Sequence, residues 1–249
     1  MDSLGGQRAL VTGAGRRLGR AIALALGAAG ARVAVHYHES QAGADETCRL
    51  IRDAGGEAIA LPADLTDRDQ ARTLVDRSVS ELGGLDLLVA SAASFERIAY
   101  DELDDAAFDR SLALNLATPL ALAQRASPAL RQAHGSIVFI TCSSATVPFR
   151  NYLPYVVSKG ALRHLMRTLA LELAPAVRVN AVAPGTVLPA EDMSEASVGR
   201  LADRIPLGRI GSPDDVARAV IYLATARFVT GHELVVDGGR TVAGFERYS

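Results

Sequence analysis

Short apolar runs rich in Val, Ile, Leu and Ala recur along the chain, separated by longer alanine- and leucine-rich stretches whose apolar positions return at helical spacing. A strand buried on both faces reads as a continuous apolar run, whereas a helix lying on a sheet needs only one apolar face. The alternation therefore predicts β-α units feeding a parallel sheet. Seven strands are expected, at about 8–12, 32–36, 57–60, 85–89, 137–141, 178–183 and 233–236, with helices in the gaps. Two helices start with recognisable caps: Thr66 with Asp69 three residues on, and Ser212 followed by Pro213, Asp214 and Asp215.

The chain has 249 residues, 49% of them hydrophobic, which is enough for one large core. No linker, repeat or low-complexity tract interrupts the alternation, so residues 1–249 are expected to form a single α/β domain. Its fold class is a doubly wound parallel sheet of about seven strands with helices on both faces. Residues 186–204 are the longest stretch without a strand, and Met193, Ser194, Glu195 and Ala196 within it suit a short helix. An insertion after the carboxyl end of a strand sits above the ligand crevice of such a sheet, which makes this segment a substrate lid.

Composition narrows the partners. The formal charge is −2, and Lys and Arg are spread along the chain, which argues against nucleic acid. Cys48 and Cys142 provide neither a disulfide framework nor the spacing of a metal site. The first eight residues contain no apolar stretch of leader length, and the most apolar region, 21–35, is broken by Gly27, Gly30 and Arg32. A cytoplasmic chain without a membrane segment or a metal is expected.

The first strand runs into Thr12-Gly13-Ala14-Gly15-Arg16-Arg17-Leu18-Gly19 and then into a helix-like stretch. Backbone amides at such a helix start face a diphosphate, and glycine permits close approach of the anion. The second strand ends His36-Tyr37-His38-Glu39-Ser40, with Tyr37 where NAD-binding sheets commonly place a carboxylate for the ribose hydroxyls. Without that carboxylate, Arg16, His38 and Ser40 are expected to surround a 2′-phosphate, which favours NADP(H), although Glu39 adds a discordant charge. Tyr155-Val156-Val157-Ser158-Lys159 opens an amphipathic helix with Pro154 in its first turn. The four-residue spacing brings the Lys159 ammonium beside the Tyr155 phenol and is expected to lower the phenol pKa toward the working pH.

Together the glycine loop, the Tyr155/Lys159 pair and the closing Val236-Asp237-Gly238-Gly239 resemble the short-chain dehydrogenase/reductase family over essentially the whole chain. The loop resembles the family's T-G-x-x-x-G-x-G, with Arg17 in place of the middle glycine. The resemblance implies a Rossmann-type fold and an oxidoreductase whose Tyr155 exchanges the proton while Lys159 also binds the nicotinamide ribose. By the same resemblance Asn115 holds a water in the proton path. The cofactor would be met by Gly13, Arg17, Leu18 and Gly19, by Asp64 and Leu65 at the adenine, by Ala92, and by Pro184, Gly185 and Val187 at the nicotinamide carboxamide. A homotetramer is implied too, with the helices of Asn115 and Tyr155 packed against a partner.

Two departures stand out. Ala90-Ser91-Ala92-Ala93 replaces the family's Asn-Asn-Ala-Gly, and the position of the carbonyl-orienting serine, thirteen residues before the tyrosine, is Cys142. Either Cys142 serves, or Ser143 replaces it through a shifted loop, or the substrate needs neither. Arg17, the His36–Ser40 strand end and Ser94-Phe95 resemble the pteridine reductases most closely. The expected function is NADPH-dependent hydride transfer to a C=O or C=N group, with Arg17, Phe95 and Tyr155 around a flat substrate such as a pterin. A carbonyl or 3-oxoacyl thioester reductase, or a non-catalytic dinucleotide-binding protein, are the alternatives.

Overall fold

Seven strands, β1 (Arg8–Val11), β2 (Arg32–Tyr37), β3 (Glu57–Pro62), β4 (Leu87–Ala90), β5 (Ser136–Ile140), β6 (Arg178–Pro184) and β7 (Glu233–Val236), form one sheet in a computed structural model that describes residues 3–189 and 193–243. Every neighbouring pair is parallel, in the order β3-β2-β1-β4-β5-β6-β7. The helices are α1 (Arg17–Ala28), α2 (Gln41–Asp53), α3 (Arg68–Leu82), α4 (Asp105–Leu112), α5 (Thr118–Ala133), α6 (Leu153–Leu173), α7 (Glu195–Ala202) and α8 (Pro213–Thr225). The seven predicted strands are all present, with ends shifted by no more than two residues.

The continuous apolar runs have the expected cause. Alternate strand residues point to opposite faces, and both faces are covered. Val11, Val35, Val89 and Val138 pack with Ile22, Ile51 and Val220 of α1, α2 and α8. Leu10, Ala34, Leu88 and Phe139 pack with Leu74, Leu130 and Met166 of α3, α5 and α6. Among the described residues no helix is long and apolar enough to cross a membrane.

Of the two predicted caps, Ser212 is borne out: its hydroxyl accepts from the Asp215 amide, and the Asp215 carboxylate accepts from the Ser212 amide, a capping box. The other is corrected. Asp67 caps α3, accepting from the amides of Asp69 and Gln70, because Thr66 instead donates its hydroxyl to Asp64 Oδ1 at 2.7 Å. In the 186–204 segment, Ser194 accepts from the Ser197 amide and starts α7; residues 190–192 lie outside the described residues.

From β1 the sheet grows in two directions, toward β2 and β3 on one side and toward β4 to β7 on the other. Connections leaving β1 and β4 therefore part company, and a crevice opens above their carboxyl ends. The predicted site residues other than Asn115 collect there.

Candidate active site

The glycine loop joins β1 to α1 at this crevice. Gly13 has φ +66°, and a Cβ there would sit 3.1 Å from the Ala92 backbone; a Cβ on Gly19 would run into the Gly13 carbonyl oxygen. Only glycine allows both turns and keeps the loop flat against the sheet edge. Arg17, at the glycine position of the related pattern, has φ +51°. A left-handed backbone at a residue with a side chain costs about 1–2 kcal/mol, so the loop retains glycine's conformation at an energetic cost. Arg16 and Arg17 both have exposed side chains that line the crevice.

Just after β3, Asp64 Oδ1 accepts from the amide and hydroxyl of Thr66, and these bonds hold its carboxyl below the ordinary range. Its Oδ2 lies 4.0 Å from Nε2 of His38. Ser40 stands at the start of α2 without its hydroxyl capping the helix. His36, between the Gly13 amide and the Ala63 carbonyl, is 2% exposed, and burial lowers its pKa to about 4.

Pro154 starts α6, and the helix presents Tyr155 and Lys159 to the same crevice. Lys159 Nζ is 5.6 Å from the centroid of the Tyr155 ring and donates to the Ile140 carbonyl at 2.7 Å. The expected lowering of the phenol pKa is corrected. Burial pushes Tyr155 well above its ordinary value, reinforced by the neighbouring Cys142 thiol. Lys159, only 2% exposed, is itself pulled down to about 8 by loss of hydration. Cys142 and Ser143 both line the cleft that holds Tyr155. Cys142 Sγ also accepts from the Ser144 amide at 3.4 Å, which fixes the turn after β5. The Ser144 hydroxyl is buried without a partner.

After β4, Thr12 Oγ1 accepts from the amides of Ser91 and Ala92 at 2.9 and 3.0 Å. Asn115 lies in a π-helical turn (Ala113–Ala117) rather than in a regular helix. Its Oδ1 accepts from the Ser94 amide at 2.9 Å, and its Nδ2 donates to the Ser94 carbonyl and to Ser158 Oγ, both at 3.1 Å. The side chain is therefore occupied by protein groups and ties the Ser94-Phe95 loop to α6. It does not reach the crevice.

Phe95 is 58% exposed, so it is not a core residue. One face stacks on Tyr152 at 4.4 Å and 17°, and it meets Tyr155 edge-on at 4.7 Å. Phe149 packs edge-on against Tyr152 at 5.1 Å, completing an aromatic wall. Sequence reasoning missed Tyr152, which stands outside α6 as its N-cap residue, where helical spacing gives no signal. It also missed Phe149, for which the sequence offers no signal either.

All predicted site residues other than Asn115 line one cleft of about 1700 Å³. Gly13, Arg16, Arg17, Leu18, Gly19, His38, Ser40, Asp64 and Leu65 form one end, and Ala92, Phe95, Cys142, Tyr155, Lys159, Pro184, Gly185 and Val187 the other. A flat glycine cradle, two arginines and a cleft of this size fit a dinucleotide at the switch point of the sheet.

Comparison with known proteins agrees with this geometry. The model of the enoyl-(acyl carrier protein) reductase family matches residues 13–241. An uncharacterized oxidoreductase of Methylorubrum extorquens is 40% identical over 247 residues, covering 96% of this chain and 99% of that protein. The 3beta-hydroxysteroid dehydrogenase 1 of Eggerthella lenta is 35% identical over 255 residues, covering 98% of each chain. Among solved structures, FolM alternative dihydrofolate reductase 1 from Brucella suis, in complex with NADP, superposes with a TM-score of 0.89 at 35% identity, covering 95% of each chain.

Proposed function

The chain belongs to the short-chain dehydrogenase/reductase family, and on that footing we propose that it is an NADPH-dependent reductase acting on a C=O or C=N group, with Tyr155 as proton donor. Enzymes of this family bind a nicotinamide dinucleotide, which when bound supplies the hydride. The glycine loop, Arg16 and Arg17 would hold its phosphates, and Lys159 its nicotinamide ribose. One observation carries the reading: Tyr155 and Cys142 line the same cleft wall while Lys159 is buried beside the Tyr155 ring.

The raised pKa keeps the phenol protonated at neutral pH, which suits donation to substrate and therefore the reductive direction. As the Tyr155 Oη–H proton passes to the substrate heteroatom, the Lys159 ammonium offsets the developing phenolate charge and the Cys142 S–H can turn to donate to it. The Ile140 carbonyl holds Lys159 in place meanwhile. Phe95, Phe149 and Tyr152 line the open side of this proton path. Tyr155→Phe tests the assignment: kcat should fall by about 10²- to 10⁴-fold with NADPH affinity nearly unchanged, and retention of more than about a tenth of kcat would refute it.

NADPH over NADH is supported by Tyr37 at the carboxylate position and by Arg16, His38 and Ser40 in the cleft. A flat ring such as a pterin is supported by the exposed Phe95 and by the likeness to FolM. The likeness to a hydroxysteroid dehydrogenase, together with an uncharged aromatic wall, supports a second reading, a carbonyl reductase of another ring-bearing substrate. NADPH consumption with dihydropterins, quinones, 3-oxoacyl esters and simple ketones separates the two. Leu188, Pro189, Met193 and Leu201 line the cleft, in keeping with a lid over 186–204. A cytoplasmic homotetramer completes the proposal; Leu171 and Phe228, at 82% and 105% exposure, support burial against further copies.

A further inference from the structure

Neither the phosphate contacts nor the proton chemistry above uses His36, the most buried polar residue of the β2 end. Its ring lies where three segments meet: the glycine loop, the end of β2 and the turn after β3. Nδ1 accepts from the Gly13 amide at 3.0 Å, and Nε2 is 3.1 Å from the Ala63 carbonyl oxygen. An amide only donates and a carbonyl only accepts, so Nδ1 must be bare and Nε2 must carry the hydrogen. The two contacts thus demand one tautomer of the neutral ring, and the burial that lowers its pKa to about 4 removes the charged form at neutral pH.

Two backbone bonds run alongside. The Ala14 amide donates to the His36 carbonyl at 2.8 Å, and the Ala63 amide donates to the Tyr37 carbonyl at 3.0 Å. The glycine loop and the turn leading to Asp64 are therefore both stitched to the last two residues of β2. Gly13, with φ +66°, has more backbone freedom to lose than any other residue type, and its amide is taken up by His36. The diphosphate is left to amides further along the loop, toward Arg17 and Leu18, whose positions depend on how the Gly13 turn is held.

We propose that His36 is a positioning residue for the dinucleotide: its ring locks the glycine turn to the Ala63–Asp64 turn, so that the phosphate cradle and the adenine end are held at a fixed spacing before cofactor arrives. Such preorganisation raises affinity by removing the cost of ordering the loops on binding. The inference rests on the cofactor-binding part of the reading above and not on the substrate.

The test uses full-length His36→Leu and His36→Asn proteins, with NADPH and NADH dissociation constants measured by nicotinamide fluorescence well below the unfolding temperature. Thermal unfolding without cofactor and imidazole-nitrogen NMR of the wild type accompany it. Loss of the Gly13 contact in the Leu variant should weaken both dinucleotides about tenfold or more, and Asn, whose amide oxygen can accept from Gly13, should recover most of that loss. The wild-type spectrum should show a neutral ring protonated at Nε2. A Leu variant that binds within about twofold of wild type while losing stability would reduce His36 to packing. An Asn variant as weak as Leu would show that the hydrogen bond is not the device. Should the Leu variant fail to fold, an Nδ1-protonated or charged ring in the wild type would still overturn the proposal. Tighter binding of NADH than NADPH would count against the cofactor preference alone, since the ratio of Leu variant to wild type still decides the role of His36.

Discussion

Replacing Lys159 with Met should remove a pH dependence of stability that the fold builds in. In the folded protein the ammonium is buried and its pKa falls from 10.5 to about 8. Between those values the unfolded chain binds more protons than the folded one, so stability rises with pH. The penalty is fully present below about 8, begins to be relieved as pH passes 8, and is gone only above about 10.5. At about 1.4 kcal/mol per tenfold, the whole interval is worth roughly 3 kcal/mol, of which about 1.3 kcal/mol falls between about pH 7 and pH 9. For a chain of this size that corresponds to roughly 3–5 °C in Tm. The assay is denaturant or thermal unfolding of cofactor-free wild type and Lys159→Met across this window, read as the difference between the two proteins. The lost bond to the Ile140 carbonyl shifts that difference by a constant, whereas the titration gives it a slope, the wild type gaining relative to the variant as pH rises. The window stops short of the range where Tyr155, whose folded pKa is raised, would begin to cost stability with rising pH. A flat difference would show that Lys159 titrates normally and that burial does not set its charge.

Three further outcomes follow from the cleft. Cys142→Ser should raise kcat on carbonyl substrates by about two- to tenfold, because a hydroxyl donates better than a thiol, while Ser143→Ala should leave it unchanged; the reverse pattern would move the orienting role to Ser143. Arg16→Ala should narrow the preference for NADPH over NADH about tenfold or more through loss of a charge-assisted bond, measured as the ratio of kcat/KM values, and an unchanged ratio would remove Arg16 from the 2′-phosphate site. Phe95→Ala should weaken a dihydropterin or antifolate by about 0.5–1.5 kcal/mol beyond the area lost, by calorimetry, with little change in Tm because the ring is 58% exposed. A large fall in Tm with unchanged affinity would instead make Phe95 a structural partner of Tyr152.

Much of this molecule is written locally. The seven strands, their parallel pairing, the switch point and the glycine loop follow from runs of apolar residues and from glycines whose spacing is set by backbone sterics. The Tyr155/Lys159 pair is legible for the same reason, because a spacing of four puts two side chains on one side of any helix. The Ser212 cap was readable too, while the cap of α3 was misplaced by one residue because Thr66 found a nearer partner in Asp64.

What the tertiary structure decided concerns groups that are distant in sequence. Thr12 supports the Ser91–Ala92 amides, His36 holds Gly13 and Ala63, and Asn115 grips Ser94 from a π-helical turn. None of these ties has a spacing signal, since each joins elements that meet only when the sheet is assembled. The sign of the Tyr155 shift is the sharpest case. Sequence spacing supplies the charge beside the phenol, but the depth of burial is a property of the packed cleft. There the loss of hydration, with the Cys142 thiol adding to it at the phenol, raises Tyr155, and the same loss lowers Lys159.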